Sequence, residues 1–213
     1  MSVKFPPVEF ADESGLLAIG GDLDVDTLEL AYRNGIFPWP VIEEPLLWFA
    51  PPQRAILEFD ELHIPRRLQR SLRKADFTFD VNTDFPDVIR ACARTKHRKG
   101  QRGTWITEDM VQAYIEFHRR GFAHSFEVVN SQGDLVGGLY GVWIGHYFAG
   151  ESMFYKESNA SKFALIKTVD YLKKRGLSWM DVQVLTPLLV HFGAKEIPRF
   201  LFMKKLQRAL FEE

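Results

Sequence analysis

Cysteine is almost absent: Cys92 is the only one in 213 residues. A single thiol cannot build an internal disulfide framework, and its scarcity fits a reducing compartment. Long apolar runs are missing as well, since none approaches the ~20 residues that a membrane span needs. The opening MSVKFPPVEF lacks the basic-then-apolar pattern of a secretory leader. A cytoplasmic protein without membrane attachment is therefore expected. The six histidines form no HxxxH or HExxH pair, so the usual metal-ligand spacings are missing and no metal is expected. No internal repeat or low-complexity tract interrupts the chain.

Net charge is also nearly nil, with 27 Lys and Arg against 28 Asp and Glu. Its distribution is uneven, however. Ile64–Arg102 carries eleven basic and four acidic residues, so +7 there balances −8 elsewhere. Arg66, Arg70, Arg73 and Lys74 follow Pro65 at helical spacing and form one basic ridge. A second cluster runs from Arg94 to Arg102 with the composition of a loop. Either cluster alone reads as a solvated charged face. Two of them in a chain that is acidic elsewhere point to a polyanionic partner whose affinity falls with salt.

What is abundant is apolar and aromatic material, 46% and 14% of the chain, enough for a substantial core. The length suits one large domain or a medium domain with a small companion. Phe5–Gly21 reads as coil punctuated by proline and glycine. Asp24 then caps a helix with Leu28, Ala31 and Tyr32 facing inward, and Gly35 stops it. The prolines and tryptophans of Ile36–Pro40 and Leu46–Arg54 read as the core of a small domain or as a binding surface. Ala55–Phe59 is a short strand that leads into the basic helix. Phe77–Val81 is a second strand, and Asp84–Arg94 a helix in which Cys92 reads as a small buried hydrophobe. Thr107 caps another helix, with Met110, Val111, Tyr114 and Phe117 as its apolar stripe.

His124–Asn159 organises the rest. It reads as three antiparallel strands, His124–Asn130, Leu135–Ile144 and Tyr147–Phe154, joined by turns at Ser131–Asp134 and Gly145-His146. Gly137, Gly138 and Gly141 weaken the middle strand, which implies bulges or a close backbone approach. The third strand delivers Glu151, Ser152 and Met153 to its end, before a helix that starts at Ser158 or Asn159. Leu177–Leu185 is a further strand, Thr186-Pro187 a helix start, and Pro198 opens a C-terminal helix. The order β-β-β-α-β-α resembles an acyl-CoA-type N-acetyltransferase core, an α/β sheet in which two strands splay to admit an acyl donor. The loop that would cradle pyrophosphate in such an enzyme is Phe154–Ser161 here, and it contains no glycine. The fold is expected without the coenzyme site.

Asp181 and Gln183 stand two apart in an otherwise apolar strand, so both project from one face. A carboxylate there is costly unless hydrogen-bonded. It either anchors a neighbouring turn or acts as a positioned base. Glu151 carries the same two readings.

Nine segments occur together and in order: GLLAIGGDLD (15–24), AYRNGIFPW (31–39), GTWIT (103–107), AHSFEV (123–128), LVGGLYGV (135–142), GESMF (150–154), ASK (160–162), DVQVL (181–185) and FGAKEIPR (192–199). On these the chain resembles the leucyl/phenylalanyl-tRNA–protein transferase family over essentially its whole length. The resemblance implies a small N-terminal domain, residues 1–60, followed by an acetyltransferase-like mixed-sheet domain, residues 61–213. It implies transfer of Leu or Phe, and Met less well, from aminoacyl-tRNA to proteins beginning with Lys or Arg, which are thereby marked for proteolysis. The donor ester is already activated, so no cofactor, ATP or metal is implied. The family's catalytic pair matches Asp181 and Gln183. Its aminoacyl and adenosine pocket matches Trp39, Trp105, Leu139, Glu151 and Met153. Its tRNA-facing helix matches Arg66, Arg70, Arg73 and Lys74.

The chain departs from the family pattern at Trp48-Phe49, where two tryptophans are usual, at Leu188, where histidine is, and at Tyr155, where serine is common. Its Lys96–Gln101 run is longer and more basic. These differences bear on acceptor preference. Two rival classes remain on the residues alone: a CoA-dependent acetyltransferase, and an RNA-binding module that would leave Asp181, Gln183 and Glu151 without a task.

Overall fold

The computed structural model describes residues 4–39, 45–95 and 106–211. The expected Lys96–Gln101 run and Trp105 lie outside the described residues.

The first strand, β1 (Leu16–Ile19), is launched by Asp12, whose Oδ1 accepts from the backbone of Ser14 and Leu16. The expected coil at Phe5–Gly21 therefore contains a strand. Its four residues, flanked by Gly15 and Gly20, are too few to display a period of two. Helix α1 (Val25–Arg33) begins where Asp24 accepts from the Thr27 amide and hydroxyl. It ends before Gly35, whose φ of +72° suits glycine. Strands β2 (Phe37–Pro38) and β3 (Leu47–Phe49) complete a small antiparallel sheet in the order β1-β3-β2. Trp48 seals it: the ring is buried, and Nε1 donates to the Gly20 carbonyl at 2.9 Å.

The chain then enters a second sheet at β4 (Gln53–Glu58), so this strand of the N-terminal 60 residues belongs to the large sheet. The basic ridge is α2 (Arg66–Leu72), followed by β5 (Thr78–Val81) and α3 (Phe85–Ala93), on which Cys92 is buried. Helix α4 (Glu108–Arg119) opens at the Thr107 cap and turns Met110, Val111, Tyr114 and Phe117 inward. The meander follows as β6 (Ala123–Val129), β7 (Leu135–Ile144) and β8 (Tyr147–Tyr155). After α5 (Ala160–Lys173) come β9 (Trp179–Gln183), α6 (Pro187–His191), β10 (Lys195–Pro198) and α7 (Arg199–Phe211). Strand β10 has no counterpart in the sequence reading. It is an edge strand whose side chains, half-buried or exposed, leave no apolar alternation to read.

The seven-stranded sheet has the order β10-β4-β9-β8-β7-β6-β5 among the described residues. All its neighbours are antiparallel except β8 and β9, which run parallel and register only at Ala149↔Asp181. Beyond that point the two strands part. The chain is thus a mixed α/β protein with a small N-terminal sheet and an acetyltransferase-like splayed sheet, as the element order predicts.

One face of the large sheet carries Ile56, Tyr140, Tyr147 and Trp179 against α1, α3, α4 and α7. The other carries Leu57, Phe126, Leu139 and Phe148 against α5. Gly137 explains how α5 comes so close, because a Cβ there would fall 2.6 Å from that of Ala160. The structure therefore meets the expectation that the β7 glycines mark a close approach.

Candidate active site

Where β8 and β9 diverge, each carries one residue too many. Tyr140 pairs with Ser152 and Gly141 with Gly150, so Glu151 has no register partner on β7. Ile56 pairs with Asp181 and Ala55 with Gln183, so Val182 is likewise unopposed on β4. A bulge bends its strand and re-aims the neighbouring side chains. Gly141 accommodates the first of them, since a Cβ there would lie 2.3 Å from the Ala149 carbonyl oxygen.

The second bulge ends in a tight turn. Val184 N donates to the Val182 carbonyl at 2.7 Å, and between them Gln183 holds φ at +61°. This is a three-residue turn of the rarer hand. A non-glycine residue held there costs about 1–3 kcal/mol, which the surroundings must offset. Two hydrogen bonds do so. The Gln183 amide N–H donates to Asp181 Oδ1 at 2.8 Å, and its Nε2 donates to Glu151 Oε1 at 2.7 Å.

Asp181 has no solvent exposure, and four donors surround its carboxylate. Arg54 Nε reaches Oδ1 at 2.9 Å, and Nη2 reaches Oδ2 at 2.7 Å. The Tyr147 hydroxyl donates to Oδ2 at 2.7 Å, and the Gln183 N–H is the fourth. A two-pronged guanidinium is the geometry that best compensates a buried carboxylate. Arg54 is buried in turn, with Nη1 on the Gly35 carbonyl and its plane between the rings of Phe37 and Phe202, 4.4 and 4.6 Å away. Burial alone would lower the Arg54 pKa, but the Asp181 charge outweighs it and keeps the guanidinium firmly protonated. Burial first, and then the Asp181 charge, pushes the Tyr147 hydroxyl well above its ordinary range.

Glu151 is nearly as enclosed, at 9% exposure. Its Oε1 is taken by Gln183, while Oε2 is buried without a hydrogen bond among the described residues. The Tyr32 hydroxyl lies near enough to polarise this carboxyl and shares a short hydrogen bond with the Tyr114 hydroxyl, in which either oxygen can be the donor. Burial raises the Glu151 pKa to about 8. The Tyr32 hydroxyl opposes the rise, the Asp181 charge adds to it, and Arg54 and the Gln183 amide oppose it. Both tyrosines stay protonated, because burial and then the Glu151 charge raise them well above their usual value.

Of the residues singled out in the sequence, the fold brings Asp181, Gln183 and Glu151 into one hydrogen-bonded cluster. Leu139 and Met153 lie directly across from each other on β7 and β8, with the α5-side core. Trp39 is half-buried and meets Phe37 edge-on, one ring removed from Arg54. Arg66, Arg70, Arg73 and Lys74 are exposed along and just beyond α2. That helix is tied to the start of α5 by Asn159 Nδ2 donating to Ser71 Oγ. No group of three or more His, Cys, Asp or Glu suited to a metal exists among the described residues, and no helix among them is long and apolar enough to cross a membrane.

Sequence reasoning missed Arg54, Tyr32, Tyr114 and Tyr147. Arg54 left a faint signal, a lone cation opening the apolar run Ala55–Leu57. The tyrosines left none, because on an apolar stripe a hydroxyl aimed at a carboxylate looks like any core aromatic.

A family model described as leucyl/phenylalanyl-tRNA protein transferase matches residues 56–207, and the model of that family's N-terminal domain matches residues 21–52. The leucyl/phenylalanyl-tRNA–protein transferase of Anaeromyxobacter dehalogenans (strain 2CP-C) is 48% identical over 206 residues, which cover 97% of this chain and 88% of that protein. The one from Flavobacterium johnsoniae is 50% identical over 203 residues, 95% of each chain. Among solved structures, FemX shares the fold with a TM-score of 0.54 at 10% identity, over 81% of this chain and 66% of that one, just under two thirds of its length.

Proposed function

The chain belongs to the leucyl/phenylalanyl-tRNA–protein transferase family, and on that premise we propose that it moves leucine or phenylalanine, and methionine less well, from aminoacyl-tRNA to proteins beginning with Lys or Arg. It is an aminoacyltransferase whose donor is a tRNA ester and whose acceptor is a protein. The product bears an N-terminus that marks it for proteolysis in the cytoplasm. One observation of the site carries the reading: a carboxylate and an amide, Asp181 and Gln183, are fixed at the end of a splayed strand pair.

The tRNA ester is already activated, so the remaining work is to position an amine and deprive it of a proton. A free α-amine has a pKa near ~8 and arrives mostly as ammonium. Gln183 binds it through Oε1. Asp181 is a positioning residue, because every donor around its carboxylate comes from the protein itself. Held by Arg54 and Tyr147, it fixes the strained turn that presents Gln183.

Leu139 and Met153 line the aminoacyl side, and Glu151 closes the polar side. An apolar pocket separates side chains by only ~1–3 kcal/mol per methylene, which suits tolerance among Leu, Phe and Met. Trp39 stacks on the terminal adenine, a contact worth ~1–3 kcal/mol. Arg66, Arg70, Arg73 and Lys74 follow the tRNA phosphates without reading sequence.

The test offers radiolabelled Leu-tRNA and Phe-tRNA with peptides that begin Lys, Arg, Asp or Glu. Label should enter the Lys and Arg peptides alone. Transfer to the Asp and Glu peptides instead would replace the acceptor assignment, and no transfer to any would overturn the reading. Trp39→Ala should weaken a minimal 3′-aminoacyl-adenosine donor; unchanged affinity would remove its stacking role.

A further inference from the structure

Two carboxylates meet at the proposed site, and they are not equally available. Asp181 is surrounded by four protein donors, two of them from a guanidinium. Accepting a proton would break that arrangement and strand the Arg54 charge in the interior. Glu151 differs. Gln183 takes Oε1 alone, and Oε2 is buried without a hydrogen bond among the described residues, the Tyr32 hydroxyl lying near the carboxyl and polarising it. A buried acceptor in that state is costly unless something else occupies it. The β8 bulge is what turns Glu151 toward Gln183.

We propose that Glu151 is the proton acceptor of the transfer reaction, taking a proton from the incoming α-ammonium on Oε2 while Gln183 Oε1 holds the nitrogen. The proposal rests on the reading that the acceptor is an α-amine. One N–H bond of the ammonium breaks as an O–H bond forms on Glu151, leaving a neutral amine and a neutral carboxylic acid. The nitrogen lone pair then forms the C–N bond at the ester carbonyl. The C–O bond to the ribose 3′ oxygen breaks, and a second nitrogen proton passes to that oxygen. Glu151 afterwards releases its proton to water.

The surrounding charges fit this assignment. Tyr32 on α1 and Tyr114 on α4 stay neutral, so neither competes for the proton. Tyr147 on β8 is likewise neutral, and Arg54 on β4 and Asp181 on β9 neutralise one another. Burial places Glu151 near 8, close to a free α-amine. Proton transfer between groups of matched pKa, near the working pH, is the favourable case for general-base catalysis.

The experiment compares two acceptor peptides of identical sequence. One has its ordinary α-amine; in the other an aminooxy group, uncharged at neutral pH, replaces it. Single-turnover rates are measured at saturating Phe-tRNA with the unaltered protein and with Glu151→Gln. The variant should lose about 10²–10⁴ in rate on the amine peptide and less than about tenfold on the aminooxy peptide, which has no such proton to shed. Equal losses on both peptides would overturn the proposal, as would near-normal turnover of the amine. If Glu151→Gln fails to bind the minimal donor, Glu151→Asp takes its place. That variant should keep part of the amine rate and full aminooxy rate, and an equal fall on both would again refute the role. Absence of transfer to either peptide by the unaltered protein would instead refute the transferase reading itself.

Discussion

Arg54 and Asp181 face each other across β4 and β9 through two hydrogen bonds of 2.9 and 2.7 Å, and neither side chain is exposed beyond 1%. The pair joins three parts of the chain, because the guanidinium also holds the Gly35 carbonyl at the end of α1 and rests on Phe202 of α7. Removing one partner leaves an uncompensated charge in the interior. Arg54→Met should cost about 3–5 kcal/mol in denaturant unfolding and abolish transfer. The double variant Arg54→Met/Asp181→Leu should regain much of that stability and stay inactive. Recovery of transfer along with stability would separate the ion pair from catalysis.

Gln183 gives a second prediction, through its backbone. At φ +61° a glycine is at ease and a β-branched residue is not. Gln183→Val should therefore be less stable than Gln183→Gly by about 1–3 kcal/mol in chemical denaturation. Both should lose transfer, since neither side chain can hold the amine. Equal stabilities would mean that the turn relaxes when the amide is removed.

Stability should depend on pH through Glu151. Its pKa is about 8 in the folded protein, above the ordinary carboxylate value of 4.5. The folded state thus favours the protonated group, a contribution present in full below about 4.5 and lost as pH rises through 8. Glu151→Gln lacks this dependence. The difference in Tm between Glu151→Gln and the unaltered protein should widen in favour of the variant from pH 5 to pH 8 and level off above. A constant difference would show that the carboxyl ionises normally in its cleft.

The basic helix predicts a salt dependence. Reversing Arg66, Arg70, Arg73 or Lys74 to Glu should weaken full-length aminoacyl-tRNA more than a minimal adenosine donor. Each lost phosphate contact should reduce the slope of log affinity against log salt by about 1. Binding titrations between 50 and 200 mM salt would measure it, and an unchanged slope would take α2 out of the tRNA path.

Much of this molecule is legible in its sequence. The caps at Asp24, Thr107 and Thr186 are local, since each side chain bonds a backbone amide three residues on, and all three are found. The meander was legible because its three strands are long and their turns lie close in sequence. Two edge strands were not: β1 of the small sheet and β10 of the large one are four residues each and find their partners only in distant segments. The candidate site divides the same way. Asp181, Gln183 and Glu151 stood out as polar residues in apolar strands, whereas Arg54, 127 residues from its partner, carried no sequence mark of that pairing.

The amino-acid order by itself determined which elements form, where helices start and stop, and which polar residues are too costly to sit unpaired in a strand. Tertiary structure alone decided which of two buried carboxylates keeps an oxygen free. That choice depends on a guanidinium, two bulges and a left-handed turn converging from separate parts of the chain. Hydrogen-bond donors act over about 3 Å in space and have no fixed spacing along a sequence.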